Sequence, residues 1–388
     1  MKALVWRGVN QLAVTQVPDP ELRNEQDAIV RVRRSATCGA DLHLLGGHLP
    51  LLRRGDVLGH EFLGEVVEVG PRVRRHRVGD RVVVCSVVSC GRCGPCRRRQ
   101  FSLCDNGGTG PALGGQAGGP SPGGCYGSSP ALGGFAGSHA EYVRVPYADR
   151  GAFTVPDGVT DERALFASDA APSGWMAAHL AGVRPGDVVA VWGAGAAGQL
   201  AARAAALLGA ERVVVIDRLA DRLRMAERHV GVETLDHGTQ DVGGELRELS
   251  GGRGPDVCID AAGAAAPGGG WRGRLGQRFR PAPDRAVAAR EAVHHCRKGG
   301  SVFLLGTYPG AVDRFPLDTV LAKGLNLRGA RQHGHRYIPM LLDRMARGEL
   351  VTEHLATHTM PLDRAPLGYD TFRNRLDGCV RAVFAPEP

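Results

Sequence analysis

The sequence predicts an α/β protein of two domains, a β-rich domain split in sequence around a domain built on a doubly wound parallel sheet. Three observations carry this. Up to Pro156 the chain reads as short strands bounded by glycine, and after it as Ala- and Leu-rich helices alternating with short apolar strands. Near Leu325 that alternation stops, and the remaining residues return to an amphipathic helix and a final strand. The 388 residues also exceed what one hydrophobic core commonly serves. The boundaries expected from these changes of texture are 1–167 with 323–388 for the split domain and 168–322 for the inserted one.

The elements follow in order. MKALVWRG, LAVTQVP and AIVRVRRSATCG alternate β-branched with polar residues, and strand patterns recur from Gly64 to Gly70, from Gly79 to Val88 and in AEYVRVP. Between the last two lie a cysteine-rich excursion and a stretch from Asp105 to Ser138, dominated by glycine and small residues, which reads as a long loop. VVAVWGAG, RVVVID, DVCIDAAG and SVFLLG are the buried strands of βαβ units. YIPMLLDRMARGEL is an amphipathic helix and CVRAVFAP the last strand. No internal repeat is visible.

Composition excludes several classes. No apolar run reaches the ~18–20 residues of a membrane span, and MKALVWRGVN lacks the apolar core of a signal peptide, so the expected location is the cytoplasm. Ten cysteines, half of them in metal-like contexts, suit a reducing compartment rather than a disulfide framework. The net charge of +8 invites a nucleic-acid reading, but Lys2, Lys298 and Lys323 are the only lysines among 48 basic residues. The arginines are scattered and interleaved with acids, as on a solvated surface. Neither nucleic acid nor membrane is an expected partner.

Cys90, Cys93, Cys96 and Cys104 stand in a C-x2-C-x2-C-x7-C arrangement inside a turn-rich stretch of Gly, Pro and Arg. Free or disulfide-bonded thiols are the plain alternative, but the tight spacing favours zinc. Four thiolates complete a tetrahedral ion and leave no position for substrate, so this site is expected to be structural. Chemistry must lie elsewhere.

Gly193, Gly195 and Gly198 form G-x-G-x-x-G between an apolar strand and an Ala-rich helix. The first allows the tight turn, the second lets the backbone approach a pyrophosphate, and the third lets helix pack on strand, as in a Rossmann fold. Asp217 ends the next strand, nineteen residues after Gly198, where a carboxylate can accept from adenosine ribose hydroxyls. Its charge favours NAD over NADP, and the neighbouring Arg218 weakens that preference. A glycine-rich turn that binds nothing is the plain alternative.

Cys38 in TCGADLH and His60 in GHEFLGEVVEVG mean little alone, since a lone Cys or His is commonly a core residue. Taken with the four-cysteine run, GDRVVV, GAGAAG and the acid after the next strand, in this order, they make the chain resemble the zinc-dependent medium-chain alcohol dehydrogenases over essentially its whole length. The resemblance implies a GroES-like β-rich catalytic domain beside the Rossmann domain. It also implies two zinc ions per chain and a catalytic zinc on Cys38, His60 and a third residue that is often cysteine. Here LFASDAAPSGW offers Asp169 instead, which resembles the branch containing glutathione-independent formaldehyde dehydrogenases. Glu61 matches the acid that can approach the metal during ligand exchange; its plainer role is to orient a ligand. The implied reaction passes hydride from a zinc-bound small alcohol or aldehyde hydrate to NAD+. The family also implies a homodimer or homotetramer.

Two departures stand out. Where the family has Ser or Thr two residues after the first ligand, this chain has Ala40, while His43 keeps the spacing of the outer proton acceptor. Water can bridge the missing hydroxyl, and Ser173 in APSGW is another candidate beside the nicotinamide. The segment from Ala264 to Pro283 reads as a surface loop, although in the resembled branch a long segment here covers the dinucleotide, through residues such as Trp271, Arg272, Arg274 and Arg278 in this chain. Gln332 and His333 read equally well as cleft-border or surface-turn residues. Two other functions stay open on sequence: a polyol or sugar-alcohol dehydrogenase, and a non-catalytic zinc- and nucleotide-binding protein.

Overall fold

The computed structural model describes residues 1–47, 52–108, 123–264, 286–308, 312 and 314–386. The segment with Trp271, Arg272, Arg274 and Arg278 lies outside these residues. By its internal contacts the chain divides into two compact units, Met1–Pro172 with Gln332–Pro388, and Ser173–Arg331.

The first unit is organised by a seven-stranded sheet. Its path runs His358–Pro361, Ala382–Ala385, Ala28–Ala36, Glu61–Val69, Arg81–Val84 and Ala152–Thr154, with Tyr142–Val145 also pairing against Ala28–Ala36. Alternate residues point inward, so Val30, Val32, Phe62, Val66, Val82, Val84 and Val143 share one core with Tyr126. The Phe62 and Tyr126 rings meet edge to face at 5.4 Å. The strand expected from Gly64 begins three residues earlier, at Glu61. Gly64 is internal to it because a Cβ there would stand 2.0 Å from the Arg31 carbonyl oxygen, on a neighbouring strand whose register slips between Val32 and Arg34. The expected strand over 79–88 breaks into Arg81–Val84 and Val87–Val88, the second pairing with Gly124–Cys125 inside the expected loop.

The second unit is a six-stranded sheet in the order Glu233–Asp236, Arg212–Asp217, Val188–Trp192, Val257–Asp260, Ser301–Leu304, Asn326–Gly329, parallel throughout. Numbered along the chain this is 3-2-1-4-5-6, the Rossmann order, and its direction reverses beside Val188–Trp192. That central strand is buried at every position, which is why it reads as an unbroken apolar run. Asn326–Gly329 places the sixth strand beyond the expected boundary at 322. As an edge strand exposed at all four positions it carries no burial pattern to read. Among the described residues no helix is long and apolar enough to cross a membrane.

Candidate functional site

Three strand ends of the first unit bring distant residues together. Antiparallel pairing sets Ala36 opposite Glu61 and opposite Val383. The Thr37 amide donates to the Ala382 carbonyl at 2.9 Å, and the Ala382 amide returns a bond to Thr37 Oγ1 at 3.0 Å. Cys38, His60 with Glu61, and Arg381 therefore converge from the ends of three strands. Asp169 arrives on a turn pinned by Ser168, whose Oγ donates to the Val84 carbonyl and accepts from the Phe62 amide. Among the described residues, one ligand atom each from Cys38, His60, Glu61 and Asp169 lies within 4.8 Å of the others.

The electrostatics of this cluster suit a cation. Glu61 is fully buried; its Oε1 accepts from Arg381 Nη2 at 3.2 Å, while its Oε2 has no hydrogen-bond partner. A buried carboxylate oxygen without a donor costs stability unless a positive ion meets it. With the Cys38 thiol ionised, one thiolate and two carboxylates stand with the guanidinium of Arg381, a set that a zinc-sized dication would neutralise. Burial pushes the Cys38 thiol up to about 11, with His60 opposing, and raises Glu61 to about 7 against the pull of Arg381. Burial alone would lower His60, but Asp41 and Cys38 raise it well above its usual value.

His60 is oriented from behind. Its Nδ1 is 3.1 Å from Asp41 Oδ1 and its Nε2 4.0 Å from Asp169 Oδ2, so Nε2 is turned toward the cluster. Asp41 belongs to the helix Gly39–Leu45, and its other oxygen accepts from the Cys38 amide at 2.8 Å, so one carboxylate caps the helix and sets the ring. Tyr369 Oη donates to that same oxygen at 2.9 Å, and His139 and Ser35 continue the buried chain at 2.9 and 2.8 Å. His43 lies buried on the same helix, with Ala40 one turn before it. Ser173 is buried on the helix Ala170–Ala181, as the first residue of the second unit.

The four-cysteine lobe forms a second cluster, with the sulfurs of Cys90, Cys93, Cys96 and Cys104 within 4.8 Å of one another and all unbridged. Gly91, at φ +73°, makes the turn between the first two. The Cys90 amide donates to Cys104 Sγ at 3.2 Å and Asn106 Nδ2 to Cys90 Sγ at 3.2 Å. Burial raises the Cys96 and Cys104 thiols, whereas Asn106 and the amides of Arg92 and Cys93 lower Cys90 against its own burial.

In the second unit Gly193 takes φ +101°, and a Cβ on Gly198 would stand 1.7 Å from the Gly193 carbonyl oxygen, so helix and turn close only without a side chain. Gly195 caps the helix Ala196–Leu207, whose N-terminal turn points N–H groups where an anion could be held. Asp217 is held at the end of its strand: Oδ2 accepts from the Ala194 amide at 2.7 Å, Oδ1 from Arg218 and Leu219 amides at 2.7 and 3.1 Å. Arg218 itself is exposed.

Sequence reasoning missed Arg381, Asp41, Tyr369 and Ser86. Arg381 is one arginine among many until strand pairing sets it beside Cys38. Asp41 carried a signal, being three residues after Cys38 at a helix start. Gln332 and His333 are not surface residues: they are 5% and 3% exposed, and Gln332 donates to Asp169.

Residues 24–157 match the alcohol dehydrogenase GroES-like domain, and residues 196–267 match the zinc-binding dehydrogenase family. The chain is 33% identical to the uncharacterized zinc-type alcohol dehydrogenase-like protein AdhB of Bacillus subtilis (strain 168), over 100% of both chains. It is 31% identical to a glutathione-independent formaldehyde dehydrogenase of the same organism, over 96% of this chain and 94% of the relative. The solved structure of alcohol dehydrogenase TADH from Thermus sp. ATN1 is similar with a TM-score of 0.84 at 32% identity, covering 100% of each chain.

Proposed function

The chain belongs to the zinc-dependent medium-chain alcohol dehydrogenase family, and on that premise we propose that it oxidises a small alcohol or aldehyde hydrate, formaldehyde hydrate among them, with NAD+ as hydride acceptor and two zinc ions per chain. The observation that carries this reading is the convergence of Cys38, His60, Glu61 and Asp169 around a buried Glu61 oxygen that has no partner. Cys38, His60 and Asp169 would hold one zinc, and Glu61, with its unpartnered Oε2, would offer that ion a further carboxylate oxygen. A zinc with three protein ligands supplies a Lewis acid that lowers the pKa of a hydroxyl.

The remaining work falls to this chain's own side chains. Asp41 fixes His60 Nδ1 and so presents Nε2. Arg381 holds Glu61 Oε1, so that a swing of Glu61 has a fixed resting point. Ala40 offers no hydroxyl, so the proton reaches His43 through water. Asp217 binds the adenosine ribose and repels a 2′-phosphate, which selects NAD. Cys90, Cys93, Cys96 and Cys104 would hold the second zinc, which would stabilise the lobe. The formaldehyde reading is supported by Asp169 at the third ligand position and by the 31% identical relative.

We further propose a homodimer or homotetramer assembled through the edge strand Asn326–Gly329. Leu327 on that strand is 37% exposed, and Leu317 and Leu321 on the helix Leu317–Lys323 are 59% and 76% exposed. The function is tested by NADH formation with zinc-replete protein across formaldehyde, simple alcohols and polyols. Turnover on formaldehyde or simple alcohols is expected, and no turnover with any of them would overturn the proposal.

A further inference from the structure

The segment from Gln332 to His335 touches Asp169 of one cluster and residues beside the cysteines of the other, although it contributes no group to either. Gln332 Nε2 donates to Asp169 Oδ1 at 3.0 Å and to Ser86 Oγ at 2.6 Å, and Ser86 Oγ donates in turn to the same Asp169 oxygen at 2.5 Å. An ionised carboxylate accepts only, so this closed ring of three groups fixes which end of the Gln332 amide faces it. Both donors occupy Oδ1, which leaves Oδ2 as the oxygen turned to His60. One residue on, His333 Nδ1 meets Ser102 Oγ at 2.9 Å, in the turn that leads into Cys104. Two residues further, His335 Nε2 meets Ser89 Oγ at 3.0 Å, beside Cys90, and its ring lies 5.0 Å from that of Phe101. Gly334 makes the segment fit: a Cβ there would stand 2.2 Å from Gln332 Oε1 and 2.7 Å from Cys85 Sγ.

We propose that Gln332 is the positioning residue for Asp169, and that Gln332–His335 is a strut tying this carboxylate to the four-cysteine lobe. Metal retention by Cys38, His60 and Asp169 then depends on a lobe that supplies no ligand to it. The physical basis is rigidity. A carboxylate free to rotate presents either oxygen, or both, to an ion, whereas one held through Oδ1 presents Oδ2 alone in a fixed direction. Partners behind a ligand of this kind typically change metal affinity by about 10- to 100-fold. The inference rests on the reading of Asp169 as a zinc ligand.

The test uses full-length zinc-loaded protein and follows zinc release into a chromogenic chelator, with the phase belonging to the Cys38 site identified by Cys38→Ala. Gln332→Met and Ser86→Ala, which keep volume near the original and remove one donor each, are expected to speed that phase by about 10-fold or more. The four-thiolate phase should be unchanged by either. Cobalt substituted at the Cys38 site should show displaced visible bands in both variants, a change that a purely structural role for Gln332 would not produce. Ser102→Ala, which touches none of Cys38, His60 and Asp169, is expected to speed the same phase to a smaller degree. If Asp169→Ala accelerates release while Gln332→Met and Ser86→Ala leave both rate and cobalt bands unchanged, the positioning role is wrong. If Asp169→Ala itself leaves release unchanged, the ligand assignment fails, which is a separate result.

Discussion

Asp41 Oδ1 lies 3.1 Å from His60 Nδ1, while Oδ2 of the same carboxylate accepts from the Cys38 amide and from Tyr369 Oη. A single buried side chain therefore sets the direction of two proposed ligands. Removing its charge should loosen both. Asp41→Asn is expected to weaken zinc binding at this site by about 10- to 100-fold. Tyr369→Phe removes one donor to the same charged carboxylate, worth about 1.5–3 kcal/mol, so its effect should not exceed that of Asp41→Asn. Chelator competition on the two variants measures both.

Stability should fall with pH in a window set by buried histidines. Burial pushes His139 down to about 4 and His335 down to about 3. In the unfolded chain a histidine titrates near ~6.5, so below that pH the unfolded state binds protons that the folded state refuses. The stabilisation is complete above about 6.5 and is lost progressively as pH falls, through about 4 for His139 and about 3 for His335. Urea unfolding at successive pH values checks this, and His139→Gln should flatten the slope between pH 6.5 and 4.

Asp217 accepts three backbone N–H groups and still presents its charge at the end of its strand. Asp217→Ser should lower NAD+ affinity and raise that for NADP+, moving their ratio by about tenfold or more, equivalent to ~1.4 kcal/mol. Steady-state KM values for the two cofactors report it. A ratio that stays where it was would remove Asp217 from cofactor choice.

Ala40 precedes buried His43 by one turn of the helix Gly39–Leu45. On the proposed relay, in which water carries the proton to His43, restoring a hydroxyl adds little. Ala40→Ser is expected to leave kcat within about tenfold, a barrier change of ~1.4 kcal/mol or less. A much larger gain would mean that the relay is broken in the natural chain.

Much of the fold could be read from the sequence wherever burial imposed a period. Val188–Trp192 and Arg212–Asp217 are buried runs flanked by glycine or helix, and both were legible. Asn326–Gly329 and Glu233–Asp236 were not, because edge strands bury little and so carry no apolar pattern. The residues of the two clusters, the proposed ligands, were legible through local motifs such as GHE and the spaced cysteines. Arg381 and Tyr369 were not, since each reaches the site by pairing or packing over hundreds of residues, and nothing local distinguishes it from a surface residue of the same type; Gln332 was half legible, as a residue of either a cleft border or a surface turn.

Zinc counted per chain, in the natural protein and in Asp169→Ala, tests the proposed metal centre most directly. Two zinc ions are expected in the natural protein. One is expected in the variant, held by the four cysteines, with NADH formation lost. A single zinc in the natural protein, or two zincs and undiminished turnover in Asp169→Ala, would contradict the assignment of Cys38, His60 and Asp169 as the site of reaction.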